Sequence, residues 1–415
     1  MSRAVPSSAA LALLGIVLVA SGCRRTVPSP ADPERIDPPA LPGALGASLS
    51  DVAGIPVLSW LEPAERERWR LRVSRFGDNS WSAPVTVTEG DDLLANWADF
   101  PAVGSNGSAA VAHWLVQDPT EGEAYSIALA GSGDGGTTWR ALGRLPADAS
   151  AAEHGFVSWL PEGAAGSGLR AFWLDGSGMP GGGPMTLRSA LVDPARGASG
   201  EELLDERVCD CCQTDAAMTA DGPVVVYRDR SADEIRDIAI RRRTPAGWSA
   251  PALVHADGWH IEGCPVNGPA VAASDRRVAV AWFTGAPSPR VLLAFSEDSG
   301  ATFAPPVPLD TDQPLGRIDL ALDRQGAAIV SWLGREPGAS GRSALRLQRV
   351  APSGPSGPAL TVATTAATGG SRASGFPRLL LDDDGHLLIA WTEPGSPGRL
   401  RAARVAFDRL AQAAP

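Results

Sequence analysis

A strand-like run that closes on an aromatic residue recurs seven times along the chain, and no other feature constrains the fold as much. The runs are Pro56–Trp60, Ala110–Trp114, Leu169–Trp173, Val224–Tyr227, Val278–Trp282, Ala328–Trp332 and Leu388–Trp391. Their aromatic residues stand at 60, 114, 173, 227, 282, 332 and 391, so successive copies are 54, 59, 54, 55, 50 and 59 residues apart. A period of this length suits one four-stranded propeller blade. The recurrence also explains why the chain carries thirteen Trp against nine Phe and two Tyr.

Most units divide in the same way. An inner strand leads (Phe100–Val103, Ala270–Ala273, Ile318–Leu322, Phe376–Leu381), a turn rich in Gly, Asp or Ser follows, and the aromatic-ended strand is second. A third strand precedes a second turn. The fourth opens on an aromatic-x-x-Pro phrase, as in Trp81–Pro84, Trp248–Pro251 and Phe303–Pro306. Segments of helical period are absent, and short β-rich runs between Gly and Pro turns predict an all-β fold. Seven anchors predict a seven-bladed propeller of four-stranded blades, with six blades as the alternative. The last unit is short of one strand after Leu400–Phe407, and Pro38–Ser48 is the candidate to close the ring.

One turn phrase occurs twice. Ser132-Gly-Asp134-Gly-Gly-Thr-Thr138-Trp139 returns as Ser296-Glu-Asp298-Ser-Gly300-Ala-Thr302-Phe303, each after a strand-like run. The Asp can accept hydrogen bonds from turn amides, and the Gly can take positive φ. The phrase resembles the Asp-box of sialidase-like β-propellers, with Asp134 and Asp298 as the structural acids. Sialidases have six blades, so the resemblance and the anchor count disagree.

The resemblance implies a site made of three arginines on a substrate carboxylate, a Tyr nucleophile activated by a Glu, and an Asp acid/base. This chain departs from it. The family's early Arg-Ile-Pro reads Gly54-Ile55-Pro56 here, and the two tyrosines are Tyr125, a weak candidate, and Tyr227, which aligns with the Trp anchors. No Ser-His-Asp set, phosphate loop or His-x-His pair appears, and His113, His255 and His386 sit in bland strand or turn positions. Binding is therefore favoured over catalysis, with a diverged sialidase-type glycoside hydrolase as the enzymatic alternative and an envelope scaffold as a third reading.

The amino terminus reads as an address. Arg3 precedes the apolar stretch Ala9–Ala20, which ends in Ala20-Ser21-Gly22-Cys23. Small residues before a Cys look like a bacterial lipobox, so residues 1–22 are expected to be removed and Cys23 to be lipidated. Residues 23–46 then form a Pro-rich tether, and residues 47–415 the propeller. A net charge of −11 with no basic tract excludes nucleic acid as a partner and leaves membrane attachment to the lipid. The expected location is the cell envelope, periplasmic or on the outer-membrane surface.

In a propeller, loops between strands 2 and 3 and between successive blades share one face, the usual place for a ligand. Three segments of that face stand out. The entry to blade 4 holds Cys209, Cys211 and Cys212; the next loop holds Arg228, Asp229, Arg230, Glu234 and Arg236; the entry to blade 5 holds Trp259, His260, Cys264 and Asn267. In an exported protein such cysteines form disulfides in the first instance, and sequence does not select among the pairings. A transition metal, zinc or copper, held by the thiols with His260 is the second reading, although Cys-x-Cys-Cys is not a standard zinc spacing. A redox-active cluster is the third. The Arg/Asp loop is either a network of ion pairs or an anion site in which an arginine forks onto a carboxylate or sulfate. Trp259 offers a stacking face to a sugar, Asn267 a polar contact, and His154 a further candidate at the entry to blade 3. The expected partner is a glycan or an envelope protein.

Overall fold

The computed structural model describes Met1 and residues 33–118, 124–146, 151–336, 338, 341–365, 372–382 and 385–406. Residues 2–32, which include Cys23 and the first ten residues of the stretch read as tether, fall outside the described residues. Seven antiparallel sheets follow one another in chain order. Their inner strands are Leu45–Val52, Ala102–Asn106, His154–Glu162, Asp215–Thr219, Ala270–Ser274, Gly316–Leu322 and Arg378–Leu381. Each inner strand contacts the next, and the last returns to the first, so the sheets close into a seven-bladed propeller. Among the described residues the only helices are two 3-10 turns, Met179–Gly181 and Arg372–Ser374.

The aromatic anchors are the pegs of this wheel. Trp60, Tyr227, Trp173, Trp282 and Trp332 are all at most 1% exposed. A buried indole N–H or phenol O–H needs an acceptor, and each finds a carboxylate. Trp60 donates to Glu62 (2.9 Å) and Trp173 to Asp175 (3.4 Å), within their own strands. Tyr227 donates to Asp205 (2.5 Å), Trp282 to Asp257 (2.7 Å) and Trp332 to Asp310 (2.7 Å), acids at the end of the blade before. These last three bonds rivet neighbouring blades, and Tyr227 does the work of a tryptophan.

Two expectations change. The ring is closed by Glu34–Arg35, which pair with Arg404 and Ala403 on the last strand of blade 7, Arg399–Ala406. Asp37 fixes that junction by pairing with Arg401 (2.9 Å). Residues 38–44 instead lead into blade 1, so the closing strand lies upstream of Pro38–Ser48, inside the stretch read as tether. The aromatic-x-x-Pro phrase does not open a continuous strand either. Ser80–Trp81 and Gly247–Trp248 are two-residue stubs, the Pro interrupts the ladder, and pairing resumes at Val85–Gly90 and Ala252–His255. The Trp is used sideways: Trp248 meets Phe172 of blade 3 edge-on (5.7 Å).

Inner strands carry no backbone ladder between blades, so side chains tie them. Asp215 accepts from the Val271 amide (2.8 Å), Asp319 from the Leu379 amide (2.6 Å), and Ser50 donates to the Val103 carbonyl (2.5 Å). Three inner strands share one irregularity. The register shifts between Leu45 and Ser48, Gly155 and Ser158, and Gly316 and Asp319. Each bulge holds a left-handed residue: Gly46 (φ 67°), Phe156 (φ 56°) and Arg317 (φ 57°). Gly takes this at little cost; for Phe156 and Arg317 it is strained, and bulges of this kind re-aim side chains.

Candidate functional site

The repeated turn lies between the third and fourth strands of blades 2 and 5, on one face. In both copies the Ser hydroxyl bonds the Asp (2.8 and 2.7 Å) and receives the Gly amide (2.9 Å in each). The Thr138 and Thr302 amides and hydroxyls donate to the two oxygens of Asp134 and Asp298. Each carboxylate is engaged through both oxygens within its own turn, and it acts as turn architecture.

The opposite face gathers the cysteines. Cys209, Cys211 and Cys212 have their sulfurs within 4.8 Å of one another, and Cys211 also lies within that distance of Cys264 and an Asp210 oxygen. Cys209 is 3.4 Å from Cys212 and 3.9 Å from Cys211. All four are free thiols in the structure. The entry loops of blades 4 and 5 thus meet, with Cys264 coming to Cys211. The loop 229–237 lies between them, bonded on one side through Cys209 N to Arg228 O (3.0 Å) and on the other through Arg236 N to Trp259 O (2.9 Å). His260 does not join the sulfurs: it is exposed and pairs by backbone with Ile235.

The arginines expected to grip an anion are occupied. Arg228, 2% exposed, gives its donors to the carbonyls of Asn267 (3.0 and 2.7 Å), Arg236 (2.6 Å) and Phe283 (2.8 Å), and its guanidinium lies 4.8 Å over the Trp259 ring. Trp259 is further edged by Phe283 (5.5 Å), so it packs under Arg228 rather than waiting for a sugar. Arg230 forks onto Glu234 (3.0 and 2.8 Å), and Arg236 binds Glu234 (2.8 Å), Asp210 (3.1 Å) and the Cys209 sulfur (3.4 Å). The two guanidiniums, Arg230 first, hold Glu234 down to about 2. Asn267 is a buried node that donates to the Pro265 and Leu315 carbonyls and accepts from the Arg317 amide. Asp229 is half-buried, and that burial, with Asp205 and Asp237 near, pushes it up to about 6. The loop is therefore an ion-pair network that braces the thiols. Tyr125 and Tyr227 are both raised, first by burial, and so cannot serve as ready phenolates. His154 is buried against Asp175 (3.1 Å).

Sequence reasoning missed the axis. A cavity of about 160 Å³ is lined by Ser48, Asp99, Ser158, Gln213, Asp215 and Arg378, among others, from five blades or their entry loops. Asp99 is 2% exposed, and among the described residues its Oδ2 has no hydrogen-bond partner. Burial pushes it up to about 7, against the stabilising Phe156 amide. Burial also raises Asp215 to about 7, with Arg378 opposing. Asp319, raised by burial, is 3.3 Å from Arg378. Phe156, strained in its bulge, stands beside Asp99. Polar residues at the start of inner strands were the available signal, since such positions point inward once the ring closes.

No family model matches the chain, and no curated protein matches it. Solved structures do, and they establish the fold. An α-L-arabinofuranosidase, Arb93A from Fusarium graminearum, is 13% identical at a TM-score of 0.51, covering 92% of this chain and 98% of that one. The polysaccharide lyase Uly1 is 10% identical at a TM-score of 0.52, covering 88% and 90%. The sialidase NanB from Streptococcus pneumoniae is 11% identical at a TM-score of 0.43, covering 91% and 70%. The chain is thus similar in fold to glycosidase-like β-propellers.

Proposed function

We propose that this chain is an exported, lipid-anchored β-propeller that binds a small polar ligand, of the carbohydrate class, at the axial cavity. The observation that carries the reading is the buried, unpartnered Oδ2 of Asp99. A buried polar atom without a partner costs free energy that a ligand hydroxyl would recover. The proton that burial keeps on Asp99 near neutral pH makes it a donor as well as an acceptor, which suits a polyol. Ser48, Ser158 and Gln213 line the same space. The strained bulge at Phe156 supports the reading, because such strain gathers where a site is pre-organised. The named activities of the arabinofuranosidase and the lyase suggest the ligand class. Export and anchoring rest on Ala20–Cys23.

Binding without turnover is favoured because Tyr227 is buried and Tyr125 half-buried, which disfavours the phenolate of each, and the arginines of the blade 4 loop are internally paired. The test is a calorimetric screen of mono- and disaccharides against the mature chain and its Asp99→Asn and Asp99→Ala variants. Saturable binding lost in Asp99→Ala supports the reading. No binding by any sugar overturns the ligand class, and hydrolysis of a fluorogenic glycoside that disappears in Asp99→Asn overturns the non-catalytic assignment. Loss of membrane association in Cys23→Ser tests the anchor separately.

A further inference from the structure

The thiols at blades 4 and 5 lie outside that cavity and carry a different chemistry. Three sulfurs arranged around one soft ion at about 2.3 Å each lie about 3.8–4.0 Å apart. Cys209 to Cys211 is 3.9 Å and Cys209 to Cys212 is 3.4 Å, so little movement would close them on an ion. Cys209 and Cys212 are buried and Cys211 half-buried, in a loop fastened to the rigid end of blade 4 through Cys209 N and the Val208–Asp229 bridge. Such support holds the vicinal pair Cys211–Cys212 in a shape that a free loop would not keep. We propose that Cys209, Cys211 and Cys212 form a three-coordinate thiolate site for cuprous copper, with the exposed Cys264 as an outer thiol through which the ion enters.

Two further observations fit. Arg236 donates to Cys209 at 3.4 Å. Arg228 is buried beside the same loop and, among the described residues, has carbonyl partners but no ion pair. A buried charge without a counter-ion is costly, and a thiolate cluster that keeps negative charge around a monovalent ion supplies one. The number of sulfurs selects the metal. Zinc in structural sites takes four ligands in a tetrahedron. Here the fourth sulfur groups with Cys211 and Asp210, and not with Cys209 and Cys212. Soft thiolates in a three-fold set suit cuprous copper.

The experiment is an anaerobic titration of the reduced mature chain with cuprous ion against a chromophoric copper(I) chelator, followed by thiol counting on the loaded protein. One equivalent is expected, with Cys264 still reactive and the three inner thiols protected. Cys212→Ser should weaken binding about a hundredfold or more, and Cys264→Ser about tenfold or less. The Cys264 variant alters an exposed residue, so its folding is not at risk if the buried variants fail. Absence of copper binding with four reactive thiols would overturn the site. Stoichiometric tetrahedral binding of cobalt(II), used in place of zinc, with all four thiols protected would overturn the choice of metal. Sulfur–sulfur bonds in protein isolated from its own compartment would overturn both.

Discussion

Two sets of aspartates sit in this wheel, and their surroundings give them opposite character. Asp134 and Asp298, in the repeated turns, are exposed and partly exposed, and each is held by hydrogen bonds from its own turn. Thr138, above all, holds Asp134 below the usual carboxylate range; at Asp298 what burial there is opposes the effect, but the Thr302 hydroxyl and amide hold it at about 2. Near the axis Asp99 and Asp319 are buried and Asp215 is half-buried, and burial raises all three. The first set stabilises the fold by being ionised. The second set is held in the fold at a cost that only closure of the ring, or a ligand, offsets. A motif that repeats is therefore a poor guide to function here, and single acids contributed by separate blades are a better one.

The largest test of this contrast is Asp319→Ala. It would strip Arg378 of the carboxylate at 3.3 Å and leave the Leu379 amide without its acceptor. Leaving a buried amide without its acceptor costs about 1–3 kcal/mol, and the partly screened pair with Arg378, 24% exposed, adds to it, so the urea midpoint should fall sharply with the m-value unchanged. Asp319→Asn, which keeps the acceptor, should recover part of the loss. A midpoint within error of the parent for both variants would show that the axial acids are not structural ties.

Next in size is the pH response of Asp99. Its pKa is raised in the folded state, from 3.8 to about 7, so between those values the folded chain binds more protons than the unfolded one. Stability then falls as pH rises from about 4 to about 7. Asp99→Asn cannot ionise, so it should lose less than its parent across that window, with a difference on the order of 2–4 kcal/mol at pH 8. Chemical denaturation at pH 4.5 and pH 8 measures it, and parallel profiles for the two proteins would refute the assignment.

Asp298 gives the opposite sign and a smaller effect. Its pKa is depressed, so its contribution is present above the unfolded value of 3.8 and is lost as pH falls through about 2. Asp298→Ala should cost about 1 kcal/mol at neutral pH, since its hydrogen bonds lie in solvent. The gap between variant and parent should close in acid. A gap that widened in acid would mean that the turn is not held by the carboxylate.

How much of this was legible in the sequence follows from the same physics. The blades were readable because packing repeats: every second strand needs a large aromatic at one position, and Tyr227 betrayed itself by falling in phase with the tryptophans. The cysteine cluster was readable because cysteines are few and two of the loops occupy equivalent places in adjacent repeats. The closing strand was not, because Glu34–Arg35 is two polar residues long and gains its meaning only from Arg404 and Ala403, near the other end of the chain. Nor was the axial cavity, because Asp99, Asp215 and Arg378 come singly from distant segments, and their burial exists only once the ring has closed. The arginines of blade 4 misled for a related reason. A fork-shaped donor looks the same in sequence whether it awaits a ligand or already holds Glu234.

That last ambiguity yields the smallest effect. Arg230 and Arg236 flank the same Glu234, but their side chains are 23% and 4% exposed. Arg230→Ala removes a pair that water screens, and Glu234 keeps Arg236 at 2.8 Å. Exposed pairs of this kind contribute little, so the denaturation midpoint should scarcely move and the reactivity of the four thiols should stay as in the parent. Arg236→Ala differs in kind: it leaves Glu234 and Asp210 to Arg230 alone and withdraws the donor from Cys209, so thiol reactivity should change even where stability changes little. Equal behaviour of the two variants in thiol reactivity would break the distinction between a screened surface pair and a buried brace, and with it the role given to Arg236 beside the sulfurs.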